Sequence, residues 1–168
     1  MKYPVVHLGG AACVTGSCHL VQLQGVNILV DCGLTQGDDR SCDVAAWPVK
    51  VAELDFIILT HAHVDHIGLL PRLVAEGFEG EILCSHPTKA LLAPMLNDAM
   101  RFDAFSRAER EGIGRKIDEL SWGFEYGQVF DLKRGLSFKL GRAGHILGSC
   151  FVRIESGRDD YSILFSGE

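Results

Sequence analysis

Three histidines and one aspartate stand within six consecutive residues of this chain, at His61, His63, Asp65 and His66. Neutral imidazole and carboxylate groups are ligands that suit Zn²⁺. His61 and His63 alternate, so they project to the same side of an extended segment. Asp65 and His66 follow where the chain is predicted to turn into a helix, and they can point to an adjacent position. The spacing therefore predicts a metal site.

An alternative interpretation is a group of surface or core histidines that make ordinary hydrogen bonds. A lone histidine would favour that interpretation. Packing this many titratable groups together costs free energy unless a cation compensates for them, so the cluster favours a metal. The residue types leave open whether zinc or another divalent ion is bound.

The elements that must position this cluster alternate between strands and helices. The run 55–60 is almost uniformly apolar and predicts a strand, buried on both faces, directly before His61. Gln24-Gly25 predicts the turn of a hairpin whose second strand ends near Asp31. The other predicted elements are strands at 5–8, 81–84, 136–140, 150–155 and 161–165 and helices at 66–75, after Ser85 and after Ser106. This order predicts a layered α/β domain.

Length and composition set limits on the class of protein. The 168 residues leave room for one domain, and 47% hydrophobic and 23% charged residues are typical of a globular protein. The net charge of −6 argues against a domain that coats nucleic acid electrostatically. It does not exclude an enzyme acting on nucleic acid, because bound divalent metal adds positive charge. Without a long apolar stretch or a signal-peptide pattern, a cytoplasmic location away from membranes is expected.

Six cysteines are spread over the chain without a CxxC pair: Cys13, Cys18, Cys32, Cys42, Cys84 and Cys150. In the absence of a signal-peptide pattern, this number indicates a reducing compartment rather than a disulfide framework. We expect free, mostly buried thiols that act as small apolar residues. Metal ligation by cysteine is the alternative.

The segment 61–66, which reads HAHVDH, matches the HxHxDH motif of the metallo-β-lactamase superfamily. Asp31 resembles the acidic residue of that fold's first motif. The run 143–149 resembles the third motif, in which His145 would be a zinc ligand. The run 164–168 occupies the place of the fourth motif, where a carboxylate bridges two metals. The resemblance spans nearly the whole chain and implies an α/β fold, the N-terminal half of an αββα sandwich.

Three further runs, 14–19, 85–90 and 144–149, resemble the β-CASP branch of RNA-processing nucleases within this superfamily. The resemblance implies a zinc-dependent ribonuclease that hydrolyses phosphodiester bonds of single-stranded RNA, by endonuclease or 5′-exonuclease action. It implies one metallo-β-lactamase-like domain over 1–168, with the β-CASP insertion and the returning strands of the fold outside these residues.

Carried over to this sequence, the superfamily mechanism implies two zinc ions. The implied ligands are His61, His63 and His145 for the first ion, Asp65 and His66 for the second, and Glu168 as the bridge. His63, Asp65 and Glu168 are the residues implied to act in catalysis, and Asp65 can accept a proton from the nucleophile. Asp31 would orient the ligands through hydrogen bonds. The substrate-binding residues stay unidentified.

Glu168 departs from the family pattern, which has aspartate at this place. Glutamate is one methylene longer, so the bridging oxygen would shift unless the backbone retreats. The expected consequence is either a changed spacing of the two metals or the loss of the second metal.

Two other functions stay open. Another hydrolase of this fold, such as a thioesterase of the glyoxalase II kind or a lactamase, agrees less well with the runs 85–90 and 144–149. A catalytically incomplete, metal-binding scaffold domain usually lacks several of the histidines that this chain keeps. The 168 residues alone are nonetheless expected to be inactive. An open sheet edge and an uncovered apolar face are also expected to make them dimerise or aggregate.

Overall fold

Two β-sheets and a layer of helices make up the chain in a computed structural model, which describes residues 5–37, 43–102, 104–158 and 160–167. The strands are β1 (Val5–Gly9), β2 (Cys18–Leu23), β3 (Val26–Cys32), β4 (Phe56–Ile58), β5 (Glu81–Ser85), β6 (Ser121–Phe124), β7 (Val129–Asp131), β8 (Leu136–Arg142), β9 (Cys150–Ser156) and β10 (Tyr161–Phe165). The α-helices are α1 (Val64–Ile67), α2 (Leu70–Ala75), α3 (His86–Ala99) and α4 (Arg107–Leu120). Across these described ranges, no helix combines the length and apolar character that crossing a membrane requires.

The larger sheet has six strands in the order β1-β2-β3-β4-β5-β6. Its first three strands pair antiparallel, and β3, β4, β5 and β6 pair parallel. The smaller sheet is antiparallel throughout and has the order β10-β9-β8-β7. The parallel strands bring their carboxyl ends to one edge of the larger sheet, which is where ligands bind in open α/β sheets.

Two separate apolar cores hold the layers together. One lies between the helices and the six-stranded sheet, and it includes Leu29 and Ile57 of the sheet and Leu73 and Ile117 of the helices. The other lies between the two sheets. The described residues therefore stack as helices, larger sheet and smaller sheet, which are three of the four layers of an αββα sandwich. The predicted fold class is confirmed.

The helix predicted over 66–75 is instead two short helices, α1 and α2. The N–H of Leu69 donates to the carbonyl of Cys32, 2.8 Å away, instead of continuing the first helix. Pro71 lacks an N–H and is favoured in the first turn of a helix, so it starts the second. The break lets the chain turn directly after the histidine cluster.

Buried thiols fill small positions near the sheet, as the sequence predicts. Cys32, Cys84 and Cys150 are free and buried. Burial raises the pKa of Cys84 to about 12 and raises that of Cys150 as well. These thiols are therefore neutral and behave as small apolar side chains. Cys42 lies outside the described residues.

The edge of the smaller sheet is open on the side of β10 within the described residues. Leu164 on this strand is 59% exposed. An edge strand offers unpaired backbone groups to another chain. The expected open edge is therefore present, whereas self-association through it stays a prediction.

An ion pair joins the two sheets at the end far from the parallel strands' carboxyl termini. Nζ of Lys133 donates to Oδ1 of Asp55 at 2.8 Å, and the N–H of Asn27 donates to Oδ2 at 3.0 Å. Partial burial acts to raise the pKa of Asp55, but these two hydrogen bonds and the positive charges of Lys133 and Arg134 together outweigh it, and the pKa lies below its usual value. The folded state therefore favours the ionised carboxyl.

Lys133→Met is expected to lower the free energy of unfolding at neutral pH by less than about 1 kcal/mol, as for an exposed ion pair. The pKa of Asp55 is lower in the folded state than the unfolded value of about 3.9. The pair's contribution is thus present above that value and is lost as the pH falls through the folded pKa. Urea denaturation from about pH 7 to pH 3 should show the variant converging with the unchanged chain. Lys139→Met, on β8, is the control, and a difference that stays constant with pH would contradict the prediction.

Candidate metal centre

Three imidazole rings meet at the carboxyl end of β4, and we name them the three-histidine cluster: His61, His63 and His145. Nδ1 of His63 lies 3.1 Å from Nε2 of His61 and 3.1 Å from Nε2 of His145. Two nitrogens on one tetrahedral Zn²⁺ would stand about 3.3 Å apart. In the described part of the chain, this is the one group of three or more possible ligands whose donor atoms converge within 4.8 Å. The donor set fits a metal ion.

The segment that follows β4 positions two of these rings, those of His61 and His63. The strand is buried, and His61 just after it is fully buried. His63 is extended, with φ −70° and ψ 148°, and it stands at the N-cap position of α1, where its side chain makes no capping hydrogen bond. The N–H of Cys150 donates to the carbonyl of Thr60 at 2.9 Å, which ties the start of β9 to the same segment. The two sheets are thus joined beside the cluster.

His61 is held in the protonation state that binds metal. Burial lowers its pKa to about 4, and the nearby His66 acts in the same direction. The ring is therefore neutral near pH 7. Its Nδ1 lies 3.1 Å from Oγ1 of Thr60, whose hydroxyl is also within 2.9 Å of Oδ2 of Asp31. When Thr60 donates to Asp31, its oxygen accepts Nδ1–H, and the lone pair of Nε2 faces the cluster.

Asp31 is the centre of a buried hydrogen-bond network. Oδ1 accepts from the N–H of Thr60 at 2.8 Å, and Oδ2 lies 2.7 Å from Nδ1 of His66 and 3.2 Å from Oγ of Ser17. Asp31 has a φ of +58°, in the left-handed region that is uncommon outside glycine. The network touches His66 directly and reaches His61 through Thr60.

Asp65 and His66 border the cluster without joining its converging donor atoms. Nε2 of His66 is 3.9 Å from Oδ2 of Asp65, and the His61 and His66 ring centres are 4.0 Å apart. Since Asp31 engages Nδ1 of His66, the Nε2 side of the ring is turned towards Asp65. Glu168, the expected bridging residue, lies outside the described residues.

A close backbone contact holds the segment that carries Asp65. The N–H of Ser17 donates to the carbonyl of Asp65 at 2.9 Å, and the N–H of Gly33 donates to the carbonyl of Ser17 at 2.9 Å. A β-carbon at Gly33 would lie 1.6 Å from the Asp65 carbonyl oxygen, so only glycine allows this approach. Sequence reasoning missed these contacts, because residues 17, 33 and 65 meet only in the folded chain.

The loop between β8 and β9 presents His145 from the other sheet. The N–H groups of His145 and Ile146 both donate to Oγ of Ser149, at 3.0 and 3.2 Å. The N–H of Ser149 donates back to the carbonyl of Ile146 at 3.0 Å. This turn leaves His145 exposed. The cluster is therefore buried on the His61 side and open on the His145 side, where a substrate can approach.

Both a family model and individual relatives of known name match nearly the whole of this chain. The sequence model of the Metallo-beta-lactamase superfamily matches residues 11–167. Ribonuclease TTHA0252 of Thermus thermophilus is 34% identical over 164 residues, which are 98% of this chain and 37% of that protein. Transcription termination factor FttA of Methanocaldococcus jannaschii is 30% identical, with 98% of this chain and 27% of that protein covered. Endoribonuclease YSH1 of Yarrowia lipolytica is 27% identical, with 99% and 20% covered.

Solved structures show the same architecture at low sequence identity. A metallo-β-lactamase with an HARLDQ motif from Cronobacter sakazakii has a TM-score of 0.64 at 20% identity, with 97% of this chain and 55% of that chain covered. This likeness concerns the fold. The chain spans 37% or less of the length of the three curated relatives named above.

Proposed function

The chain belongs to the metallo-β-lactamase superfamily, and on that premise we propose that it forms the metal-binding part of an enzyme that hydrolyses phosphodiester bonds of RNA. The observation that carries the proposal is the three-histidine cluster at the carboxyl end of β4, in which Nδ1 of His63 lies 3.1 Å from Nε2 of both His61 and His145. Relatives named ribonuclease and endoribonuclease support RNA as the substrate class. They also support the resemblance to the RNA-processing nucleases of the β-CASP branch.

The family and the cluster indicate a divalent metal, and we propose Zn²⁺ with two ions in the complete site. The three-histidine cluster would hold one ion. Asp65 and His66 would hold the second, with Glu168 as the bridging carboxylate. Bound divalent metal supplies two kinds of chemistry here: it activates a water molecule near neutral pH and offsets negative charge on the phosphate.

The protein's own groups around the cluster have distinct parts in this proposal. The side chain of Asp65 is 19% exposed, so it can accept a proton from an attacking water on the open side. Asp31 and Thr60 keep the Nε2 lone pairs of His61 and His66 directed at the site. The buried surroundings of His61 exclude water from the inner side. The phosphodiester would therefore approach from the side of His145.

The proposed substrate is single-stranded RNA. A flexible single strand can bring one phosphate to the exposed side of the cluster without unwinding a duplex. The net charge of −6 predicts weak non-specific binding of nucleic acid. Recognition is therefore expected to depend on the metal site rather than on a basic surface.

The test is hydrolysis of a 5′-phosphorylated, end-labelled single-stranded RNA by the Zn²⁺-loaded chain. Since the chain spans little more than a third of its ribonuclease relative, the reaction is run with protein in excess of RNA so that slow cleavage is detected. The sequence alone predicts an inactive chain, but the three-histidine cluster forms within these residues. We therefore expect slow cleavage that a chelator abolishes and that added Zn²⁺ restores.

Two further substrates separate the proposal from other chemistry of this fold. A glutathione thioester and a β-lactam are offered to the same preparation. Cleavage of either one without cleavage of RNA would replace the proposed function with that activity. A metal-loaded chain that cleaves no RNA would contradict the proposal for this chain.

A further inference from the structure

Two buried hydroxyl groups at the start of α3 contact the loop that carries His145. The carbonyl oxygen of Gly148 lies 2.7 Å from Oγ of Ser85 and 3.0 Å from Oγ1 of Thr88. A carbonyl oxygen has two lone pairs, so it accepts from both hydroxyls at once. Both side chains are fully buried, and the N–H of Thr88 donates to Oγ of Ser85 at 3.3 Å. Every polar group of this contact thus has a partner.

The loop comes close enough to α3 that a side chain at Gly148 cannot be accommodated. Gly148 has a φ of +88°, in the left-handed region that favours glycine. A β-carbon there would lie 2.6 Å from both N and Oγ1 of Thr88. The backbone of the loop therefore rests directly on the first turn of the helix.

This contact lies between two parts of the fold that each supply histidines. His61 and His63 follow β4 of the larger sheet, whereas His145 lies in a loop of the smaller sheet. Ser149, next to Gly148, accepts the N–H of His145 at 3.0 Å. A shift of the Gly148 carbonyl is therefore passed to His145 through one tight turn.

We propose that Ser85 and Thr88 are positioning residues that hold the His145 ring beside the rings of His61 and His63. The inference rests on the proposed metal site and goes beyond it, because it assigns a purpose to the run 85–90, which no step of the proposed hydrolysis uses. Loss of either hydroxyl removes a hydrogen bond from a buried carbonyl, and the loop then samples positions in which His145 leaves the other two nitrogens. The contact is expected to affect the binding of the divalent metal and not the binding of RNA.

The experiment measures Zn²⁺ affinity of the whole chain by competition with a chromophoric chelator. Thr88→Val keeps the shape of the side chain and removes the hydroxyl, and we expect a loss of about 10–100-fold, as for other residues that orient a ligand. Thr88→Ser restores the hydroxyl and is expected to restore the affinity. Ser121→Ala is the matched control, because its buried hydroxyl donates to the carbonyl of Ile117 at 2.6 Å, away from the loop.

A metal-free measurement separates positioning from general stability. Hydrogen exchange of the His145, Ile146 and Ser149 amides is expected to speed up by about fivefold to tenfold in Thr88→Val, as for the loss of one hydrogen bond. Exchange in β4 should stay unchanged. If Thr88→Val does not fold, Ser85→Gly is used, since glycine is a tolerated N-cap that costs only a few tenths of a kcal/mol relative to serine.

Equal Zn²⁺ affinity of Thr88→Val and the unchanged chain would overturn the inference, as would an equal loss in Ser121→Ala. RNA cleavage is not part of either measurement. A chain that binds Zn²⁺ and cleaves no RNA would therefore contradict the proposed function and leave this inference standing.

Discussion

His63→Ala is expected to lower the Zn²⁺ affinity of the chain by more than about 100-fold, because losing a residue that only orients a ligand already costs about 10–100-fold. Nδ1 of His63 is the one donor atom that lies 3.1 Å from both other nitrogens of the three-histidine cluster. Without it, the cluster keeps only two of its three ligand nitrogens, those of His61 and His145. Native mass spectrometry after Zn²⁺ loading gives the stoichiometry, and chelator competition gives the affinity.

The control for this variant is His86→Ala. The side chain of His86 is 61% exposed and lies outside the three-histidine cluster, with Nε2 3.7 Å from Oε1 of Glu125. The variant removes an imidazole that is not one of the converging donors and leaves the hydroxyls of Ser85 and Thr88 in place, so both stoichiometry and affinity should be kept. Unchanged Zn²⁺ binding in His63→Ala would show that the cluster is not a metal site.

Asp31→Ala is expected to lower the free energy of unfolding by about 3–5 kcal/mol, as when one partner of a buried charged or hydrogen-bonded pair is removed. The buried carboxylate accepts from Thr60 and lies 2.7 Å from Nδ1 of His66. Removing the carboxylate leaves these donors unsatisfied inside the protein. It also removes the hydrogen bonds that orient the rings of His66 and, through Thr60, of His61. The affinity for Zn²⁺ is expected to fall by about 10–100-fold.

Urea denaturation with a chelator present measures the first effect, and chelator competition measures the second. Asp31→Asn is the matched variant. Its amide oxygen can still accept from the N–H of Thr60, but its NH₂ group cannot accept from Nδ1–H of His66. We expect it to recover part of the stability and little of the affinity. An alanine variant as stable as the unchanged chain would contradict the importance of this network.

The local part of the site could be predicted from the sequence. The apolar run before His61 predicts a buried strand, and the alternation of His61 and His63 predicts a shared direction. Both features depend only on residues that are close together in the chain, so the sequence alone is sufficient to predict them. The hairpin around Gln24-Gly25 is of the same kind, since both turn residues adopt the positive φ that this turn requires.

The rest depends on contacts between distant residues. In the sequence, Thr60 is only the last residue of the run predicted as a strand, and nothing there indicates that its hydroxyl orients His61. The contact of Ser85 and Thr88 with Gly148 joins elements that are 60 or more positions apart. The resemblance to a nuclease family singles out residues 85–90, but their contacts with Gly148 depend on the three-dimensional fold. The break between α1 and α2 likewise depends on the carbonyl of Cys32, in a strand.

The placement of His63 and His145 on different layers has a consequence for how the chain folds. The two residues are 82 positions apart, so an ion held by both would close a long loop, as a disulfide does. In the chain-entropy account, such a cross-link disfavours the unfolded ensemble by about 4–5 kcal/mol. Because His63 and His145 come together only when the two sheets are docked, we expect capture of the ion to follow that docking step. Metal supply would then govern the lifetime of the folded protein more than its rate of formation.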